Sequence, residues 1–112
     1  NYAQGGIAEV MYADDSPEMH IQDNLTCGGG ICHLDAVERM VREGPDRVRE
    51  LISWGAQFTM HTGPGEAPAL DLGREGGHTR NRIVHARDLT GQEVERTLVA
   101  AVQQHRNIRV HE

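Results

Sequence analysis

Apolar residues in the first half of the chain recur at three- and four-residue intervals, the spacing that predicts amphipathic helices. The first helix is expected to begin at Ser16 and Pro17, because a hydroxyl can cap the free amides and proline needs no amide partner there. It is expected to end at Cys27, where three glycines follow. A break at Gly44 and Pro45 then separates two further helices. The residues predicted to face inward in these three short helices are Met19, Ile21 and Leu25, then Leu34, Val37, Met40 and Val41, and then Val48, Leu51 and Ile52, with Gly55 closing the last helix.

The middle of the chain predicts short extended segments. Residues 58–60 are expected to form a strand, the Gly-Pro-Gly sequence at 63–65 a turn, and residues 69–72 the returning strand of a hairpin. Residues 82–85 predict one more short extended piece. Such short elements would normally pack against a sheet built by other sequence.

The last part of the chain predicts a capped helix and then a terminal strand. Thr90 and Glu93 have the spacing of a capping box, in which a hydroxyl and a carboxylate satisfy the first amides of a helix. Residues 107–110 alternate apolar and polar side chains and predict the strand. Taken together, the elements predict a mixed α/β fold. The predicted inward face of the capped helix consists of Val94, Leu98, Ala101 and Val102.

Composition limits the core and the class of partner. The chain has 112 residues, which allows one domain at most. It is 38% hydrophobic and 4% aromatic, so its core is expected to be aliphatic. Trp54 is its one tryptophan and Phe58 its one phenylalanine. The net charge of −6 argues against nucleic acid, since phosphate binding requires a basic surface. No apolar run reaches the roughly 18 residues that a membrane span requires. Two cysteines and no visible secretory signal favour a reduced, cytoplasmic compartment.

Two glycine-rich segments carry the residues best suited to a ligand site. Residues 71–79 contain three glycines together with a carboxylate, a guanidinium and an imidazole, and residues 2–8 contain a second glycine cluster. Glycines allow a bound molecule to approach the backbone where a Cβ would collide. We therefore expect the two segments to form two walls of one pocket for a small charged molecule.

Five short motifs, in order along the chain, resemble those of the L-aspartate oxidases within the succinate dehydrogenase and fumarate reductase flavoprotein family. They are Tyr-Ala-Gln-Gly-Gly-Ile-Ala at 2–8, His-x-x-Asp at 20–23, Gly-Gly-Gly-Ile-Cys at 28–32, Arg-Glu-Gly-Gly-His at 74–78, and Arg-Ile-Val-His-Ala-x-Asp-x-Thr-Gly at 82–91. One such motif alone is a weak signal. Five in register over nearly the whole chain make the resemblance specific.

The resemblance implies FAD as the cofactor and the oxidation of L-aspartate to iminoaspartate, with oxygen or fumarate taking the electrons. In bacteria this is the first step of NAD synthesis. The resemblance also implies that the backbone of Ala3, Gln4, Gly5 and Gly6 contacts the isoalloxazine ring. From the residues alone, a glycine-rich turn without a ligand is the alternative.

Glu75 and His78 are the candidate catalytic residues. By the resemblance, Glu75 lies beside the substrate, where a carboxylate can pair with the α-ammonium of aspartate. Succinate and fumarate relatives tend to carry an aromatic residue at that position. His78 could donate a hydrogen bond to a substrate or flavin oxygen. The alternatives are an exposed Glu75 paired with Arg74, and a structural His78 that ties the loop down.

The chain departs from a complete family member because it has no Gly-x-Gly-x-x-Gly to receive the FAD pyrophosphate and no capping domain. We therefore expect residues 1–112 to be a fragment of a Rossmann-like FAD-binding domain, following the first βαβ unit and preceding the capping domain. The expected partners are L-aspartate or a related dicarboxylate and the remainder of the parent flavoprotein. The isolated fragment is expected to be inactive.

Two other functions remain open from sequence. One is a segment of a fumarate reductase or succinate dehydrogenase flavoprotein, which Glu75 disfavours. The other is a stand-alone interaction module without a cofactor, which an acidic chain with capped helices would also suit.

The cluster of Cys27, Cys32 and His33 does not predict a metal site. Four residues, three of them glycines, separate the two cysteines, and no second pair is present, which is a poor zinc signature. Buried thiols are the preferred interpretation. No metal is predicted.

Four further polar residues are interpreted structurally. His85 and Asp88 are expected to order the turn before the capped helix, with the hydroxyl of Thr90. Arg82 and Arg109 are interpreted as surface or ion-paired residues.

Overall fold

The computed structural model describes residues 4–111, which form three helices and five two-residue strands. The predicted mixed α/β fold class is confirmed. The helices are α1 (Pro17–Cys27), α2 (Leu34–Ser53) and α3 (Thr90–Gln104). The strands are β1 (Ile7–Ala8), β2 (Met60–His61), β3 (Ala69–Leu70), β4 (Leu72–Gly73) and β5 (Ile83–Val84).

The strands form two small antiparallel sheets. In the first, β5 lies between β1 and β4, so that Val84 is opposite both Ile7 and Leu72. The second is the hairpin of β2 and β3. The predicted hairpin is confirmed, but the returning strand predicted over 69–72 is divided, because Leu72 pairs with β5 instead.

Helix α1 begins as predicted. The Oγ of Ser16 accepts a hydrogen bond from the Met19 amide at 3.2 Å, which caps the helix. The buried residues of α1 are His20, Ile21 and Asp23, so the inward face is largely polar. Of the three predicted inward residues, only Ile21 is buried; the other two are half-buried.

Helix α2 is continuous through Gly44 and Pro45, so the predicted break is wrong. Proline removes one hydrogen bond from a helix, but it does not always end the helix. Val41 and Val48 lie seven residues apart, on either side of Pro45, and are 0% and 2% exposed. Burial of the same helix face on both sides of Pro45 outweighs the lost bond.

The end of α2 follows the prediction. Gly55 has a φ of 97°, its amide donates to the Ile52 carbonyl at 2.9 Å, and the Ala56 amide donates to the Leu51 carbonyl at 3.0 Å. These two bonds are those of a Schellman motif, which requires a left-handed residue that glycine supplies without a Cβ penalty.

Helix α3 begins at Thr90, but the predicted capping box is wrong. Leu89 occupies the N-cap position and makes no side-chain cap. The Thr90 hydroxyl instead accepts from the Ala86 amide at 3.1 Å, and the Glu93 carboxylate accepts from the Gln57 amide at 2.6 Å. Both side chains serve tertiary contacts in place of the local cap.

The buried face of α3 also differs from the prediction. Thr90 and Thr97 are buried, whereas Leu98 and Val102 are exposed. The predicted apolar stripe of α3 is therefore only partly covered by the described residues, since Val94 and Ala101 are half-buried.

The predicted terminal strand at 107–110 is wrong, since this segment has turn and irregular backbone. Ile108 and Val110 are exposed, at 46% and 61%. A strand forms only where a neighbour accepts its hydrogen bonds, and within residues 4–111 this segment pairs with none.

The main core joins α2 to β5. Its buried members are Val48, Ala56, Phe58 and Val84, surrounded by partly buried residues of β1, β3, β4 and the end of α2. Phe58 thus supplies aromatic burial to the core, whereas Trp54 is half exposed. Within residues 4–111 no helix combines the length and apolar character needed to cross a membrane.

Candidate functional site

A cleft of about 250 Å³ brings the two glycine-rich segments together. Strand β5 positions both segments, because β1, which ends the first segment, and β4, which lies near the start of the second, pair with its two edges. Residues at alternate positions from β5 onwards, Ile83, His85 and Arg87, complete the lining. The remaining lining residues are Gln4, Gly5, Gly6, Gly73, Arg74 and Glu75.

Glu75 and Gly5 face one another in this cleft. A Cβ placed on Gly5 would have the Oε1 of Glu75, at 4.0 Å, as its nearest neighbour. The structure therefore brings Gln4, Gly5 and Gly6 together with Glu75, as the sequence led us to expect. Ala3 lies outside the described residues. What these residues bind stays a prediction.

Gly6 has a steric reason to be glycine that involves no ligand. A Cβ at this position would overlap the Ile83 side chain and approach the Val84 carbonyl oxygen to 2.5 Å. Gly6 thus allows the first segment to lie directly against β5. At Gly5, by contrast, the space beside the backbone is open, so a bound group could approach it.

His78 is separated from the cleft. Its ring packs edge-on against the ring of His20, with centroids 6.2 Å apart, and it is not among the lining residues. Its backbone closes the loop: the amide donates to the Glu75 carbonyl at 3.2 Å, and the carbonyl accepts from the Arg74 Nε at 2.9 Å. This geometry matches the structural alternative for His78 better than direct contact with a substrate in the cleft.

A buried ionic cluster lies behind the same loop, and the sequence did not reveal it. Arg82 is fully buried, its Nε and Nη2 donate to the two carboxylate oxygens of Asp15 at 2.7 and 2.8 Å, and its Nη1 donates to Asp23 at 2.5 Å. The Asp23 oxygen also accepts from the amide and hydroxyl of Thr79, at 2.8 and 2.9 Å. Arg82 is therefore ion-paired, as interpreted, but in the interior. The sequence signals near this cluster were the His-x-x-Asp motif and the motif that begins at Arg82, and neither predicted that their charges meet.

The cluster controls the protonation of its members. Burial alone would raise the pKa of Asp23, but hydrogen bonds from Thr79 and Arg82 outweigh it and lower the pKa to about 2. Burial is likewise outweighed by Arg82 at Asp15, whose pKa is lowered. Burial, together with the Arg82 cation, lowers the pKa of His20. The cluster is therefore two carboxylates and one guanidinium beside a neutral imidazole at neutral pH.

A larger cavity, of about 590 Å³, lies elsewhere, between the Phe58 segment and α3. Its charged residues include Glu93 and Arg96, which pair with each other at 2.6 Å. It contains none of the predicted site residues. We assign the candidate site to the smaller cleft, because open glycine backbone and a carboxylate converge there.

The two cysteines are free thiols, Cys27 exposed and Cys32 half-buried. The expected burial is therefore wrong for Cys27, which lies beside the Glu75 loop: a Cβ on Gly77 would overlap its sulfur. Among residues 4–111, no group of three or more His, Cys, Asp or Glu side chains could hold a metal ion. His85 contacts a carboxylate, since its Nε2 lies 3.4 Å from Asp71.

The chain is similar to FAD-binding domains and to L-aspartate oxidases. The family model described as FAD binding domain matches residues 1–112. The chain is 49% identical over 110 residues to L-aspartate oxidase 2-b, chloroplastic, of Nicotiana tabacum, and 51% identical over 102 residues to L-aspartate oxidase of Streptomyces coelicolor. These matches cover 98% and 90% of this chain but only 16% and 17% of those proteins.

Solved structures give the same fold. E. coli quinol fumarate reductase FrdA superposes with a TM-score of 0.85 at 30% identity, over 96% of this chain and 18% of that one. The Mycobacterium smegmatis Sdh1 complex in the apo form superposes with a TM-score of 0.80 at 33% identity, over 91% of this chain and 18% of that one. The resemblance drawn from five motifs is confirmed: this chain belongs to the FAD binding domain family.

Proposed function

We propose that this chain is part of an FAD-dependent L-aspartate oxidase, which oxidises L-aspartate to iminoaspartate with oxygen or fumarate as electron acceptor, at the start of NAD biosynthesis. The curated relatives support this proposal, although the chain spans only 16% to 21% of the length of those it matches. Residues 1–112 are, in this proposal, a partial FAD-binding domain between the first βαβ unit and the capping domain.

The observation that carries the proposal is the position of Glu75 opposite Gly5 in the cleft. A carboxylate there can accept a charge-assisted hydrogen bond from the α-ammonium of an amino dicarboxylate. That bond would fix the orientation of the substrate Cα, from which a hydride must leave. Succinate and fumarate have no amino group to use it.

The open backbone of Gln4, Gly5 and Gly6 fits one edge of a flat cofactor. Bound FAD would supply the acceptor for the hydride from Cα, while the amino nitrogen loses a proton to leave the imine. Backbone amides at this edge would stabilise negative charge on the ring. Ala3 is proposed to contribute with them.

His78 is proposed to act through the loop. Its backbone bonds to Arg74 and Glu75 close the turn that carries the Glu75 side chain. Its ring faces His20, so a role in shaping the loop agrees with the geometry.

The proposal is tested with Glu75→Gln in the full-length protein that contains this chain. Losing one charge-assisted hydrogen bond should lower kcat/KM for L-aspartate by about 10- to 100-fold, mainly through KM. Steady-state kinetics with L-aspartate, together with flavin content after desalting, measure this.

Glu66→Gln is the matched control, because Glu66 is an exposed glutamate of the hairpin turn outside the cleft. It should leave both KM and flavin content unchanged. An unchanged KM for L-aspartate in Glu75→Gln would contradict the proposed role of the carboxylate.

A fumarate reductase or succinate dehydrogenase segment is the second candidate, because the solved structures that superpose on this chain carry those names. Glu75 disfavours it for the reason given above. Oxidation of succinate but not of L-aspartate by the full-length protein would establish this alternative instead.

We propose a reducing compartment, the cytoplasm, for this chain on the basis of its two free thiols. Some plant relatives carry the word chloroplastic in their names, so the plastid is the competing compartment. Fractionation of cells that express the full-length protein decides between them.

A further inference from the structure

One stripe of α1 contacts the loop that carries Glu75. His20, Asp23 and Cys27 are spaced three and four residues apart, which places them on the same side of the helix. Each meets the loop at a different residue. The contacts are His20 with the ring of His78, Asp23 with Thr79, and Cys27 with Gly77. We call these three residues of α1 the loop platform.

Asp23 is the strongest contact of the loop platform. One of its oxygens accepts from both the amide and the hydroxyl of Thr79, and Arg82 donates to the same oxygen. Asp23 is 8% exposed, and its bond to Arg82 is buried, whereas its two bonds to the exposed Thr79 are partly buried. The end of the loop is therefore fixed to α1 and, through Arg82, to β5.

The contact between Asp23 and Thr79 is connected to Glu75 by a short stretch of backbone. Thr79 follows His78, whose amide donates to the Glu75 carbonyl at 3.2 Å. Gly77 has a φ of 87°, which allows the loop to turn back on itself and lie against Cys27. A shift of Thr79 would thus move the backbone from which the Glu75 side chain projects.

The histidine pair is a second contact between the loop platform and the loop. Within residues 4–111, the Nδ1 atoms of His20 and His78 are both buried without a hydrogen-bond partner. His20 is 2% exposed.

We propose that the loop platform, and Asp23 above all, holds Glu75 at the distance from Gly5 that recognition of the substrate ammonium requires. Asp23 and His20 are positioning residues in this scheme, since neither lines the cleft. The inference rests on the proposed function. It adds that affinity for the amino group is set from α1, a helix outside the cleft.

The test compares Asp23→Asn with wild type in the full-length protein. Misplacing Glu75 should raise KM for L-aspartate by about tenfold. The inhibition constant of succinate should not change, because succinate has no ammonium for Glu75 to bind. Flavin content should also stay at the wild-type level. Asp14→Asn is the matched control, since Asp14 is exposed and contacts Arg80 through its carbonyl; it should leave KM unchanged.

A double variant separates positioning from general stability. If Asp23 acts through Glu75, then Asp23→Asn should add nothing to the KM of Glu75→Gln. A full additional effect in that background would overturn the inference. So would an equal weakening of L-aspartate and succinate together with loss of flavin, or an unchanged KM in Asp23→Asn alone.

Thr79→Val covers the case in which Asp23→Asn does not fold. This change removes one donor to Asp23 and leaves the Thr79 amide and the Arg82 bonds in place. It should raise KM for L-aspartate by a few fold, again without affecting succinate inhibition; a wild-type KM would overturn the inference. If Glu75→Gln itself is without effect, the proposed function fails; if only the Asp23 and Thr79 variants are without effect, the inference alone fails.

Discussion

At Gly5 and Gly6, two adjacent glycines meet different physical requirements. Gly6 is needed for folding, because a Cβ would overlap Ile83 and crowd the Val84 carbonyl of β5. Gly5 borders open space beside Glu75, so its lack of a side chain keeps the cleft free. The sequence shows two glycines in a row, but their neighbours in space separate a structural glycine from a candidate binding one.

Substitution of the two glycines is therefore predicted to have different effects, one on stability and the other on FAD content. In the full-length protein, Gly6→Ala should lower the free energy of unfolding by about 1–3 kcal/mol, because β5 must shift to admit the methyl group. Gly5→Ala should unfold like wild type but retain less FAD. Thermal unfolding and flavin absorbance measure the two effects. Equal destabilisation by both changes would contradict this assignment.

At the scale of elements, α2 illustrates how tertiary contacts override local signals. Gly44 and Pro45 predicted a break, yet Gly44 instead leaves room for the Glu9 carboxyl, which a Cβ would overlap. Glu9 follows β1, its amide donates to the Arg82 carbonyl at 2.8 Å, and its side chain is buried against α2. Within residues 4–111, its Oε2 has no hydrogen-bond partner. Burial raises the pKa of Glu9 to about 7.

This carboxyl gives the packing of β1 on α2 a predicted pH dependence. Because the folded chain holds the Glu9 proton more tightly than the unfolded chain, its contribution to stability is complete below the ordinary pKa of 4.5 and is lost as the pH rises to about 7. Relative to Glu9→Gln, the wild-type full-length protein should lose on the order of 2–3 kcal/mol of its free energy of unfolding between pH 4.5 and pH 7.5.

Urea unfolding at several pH values, with Glu66→Gln as the control, measures the effect. The difference between wild type and Glu9→Gln should grow with pH, whereas the control should run parallel to wild type. Parallel curves for all three proteins would show that Glu9 is not protonated more readily in the folded state.

At the scale of the whole molecule, much apolar surface of the described residues has no partner. Ile31 is 87% exposed, and Val99 and Val102 on α3 are 47% and 38% exposed, beside the exposed apolar residues of 107–110. On α3, the exposed Leu98, Val99 and Val102 are three and four residues apart and form one apolar stripe, the kind of surface that normally marks an interface. In the proposed parent enzyme, the remainder of the flavoprotein would cover it.

We expect the 112-residue chain on its own to self-associate and to retain no FAD, since one edge of the ring is all that its cleft could contact. Light scattering at several concentrations and flavin absorbance after desalting measure this. A single sharp unfolding transition of a monomer, independent of concentration, would favour the stand-alone module instead.

The sequence by itself determined the features that depend on neighbours along the chain. The Ser16 cap, the Gly55 helix end and the hairpin follow from local hydrogen bonds and backbone sterics, so short patterns predict them. The family resemblance likewise rests on short motifs, and through them it pointed to Glu75.

Only the tertiary structure decided what depends on residues far apart in the chain. Asp23 and Asp15 are 59 and 67 positions from Arg82, and no periodicity predicts that such charges meet in the interior. The continuity of α2 and the exposed terminal segment have the same cause. In α2, burial against distant residues outweighs the local preference for a break. In the terminal segment, the lack of a pairing strand outweighs the local preference for a strand. Such local preferences are worth about 1–3 kcal/mol.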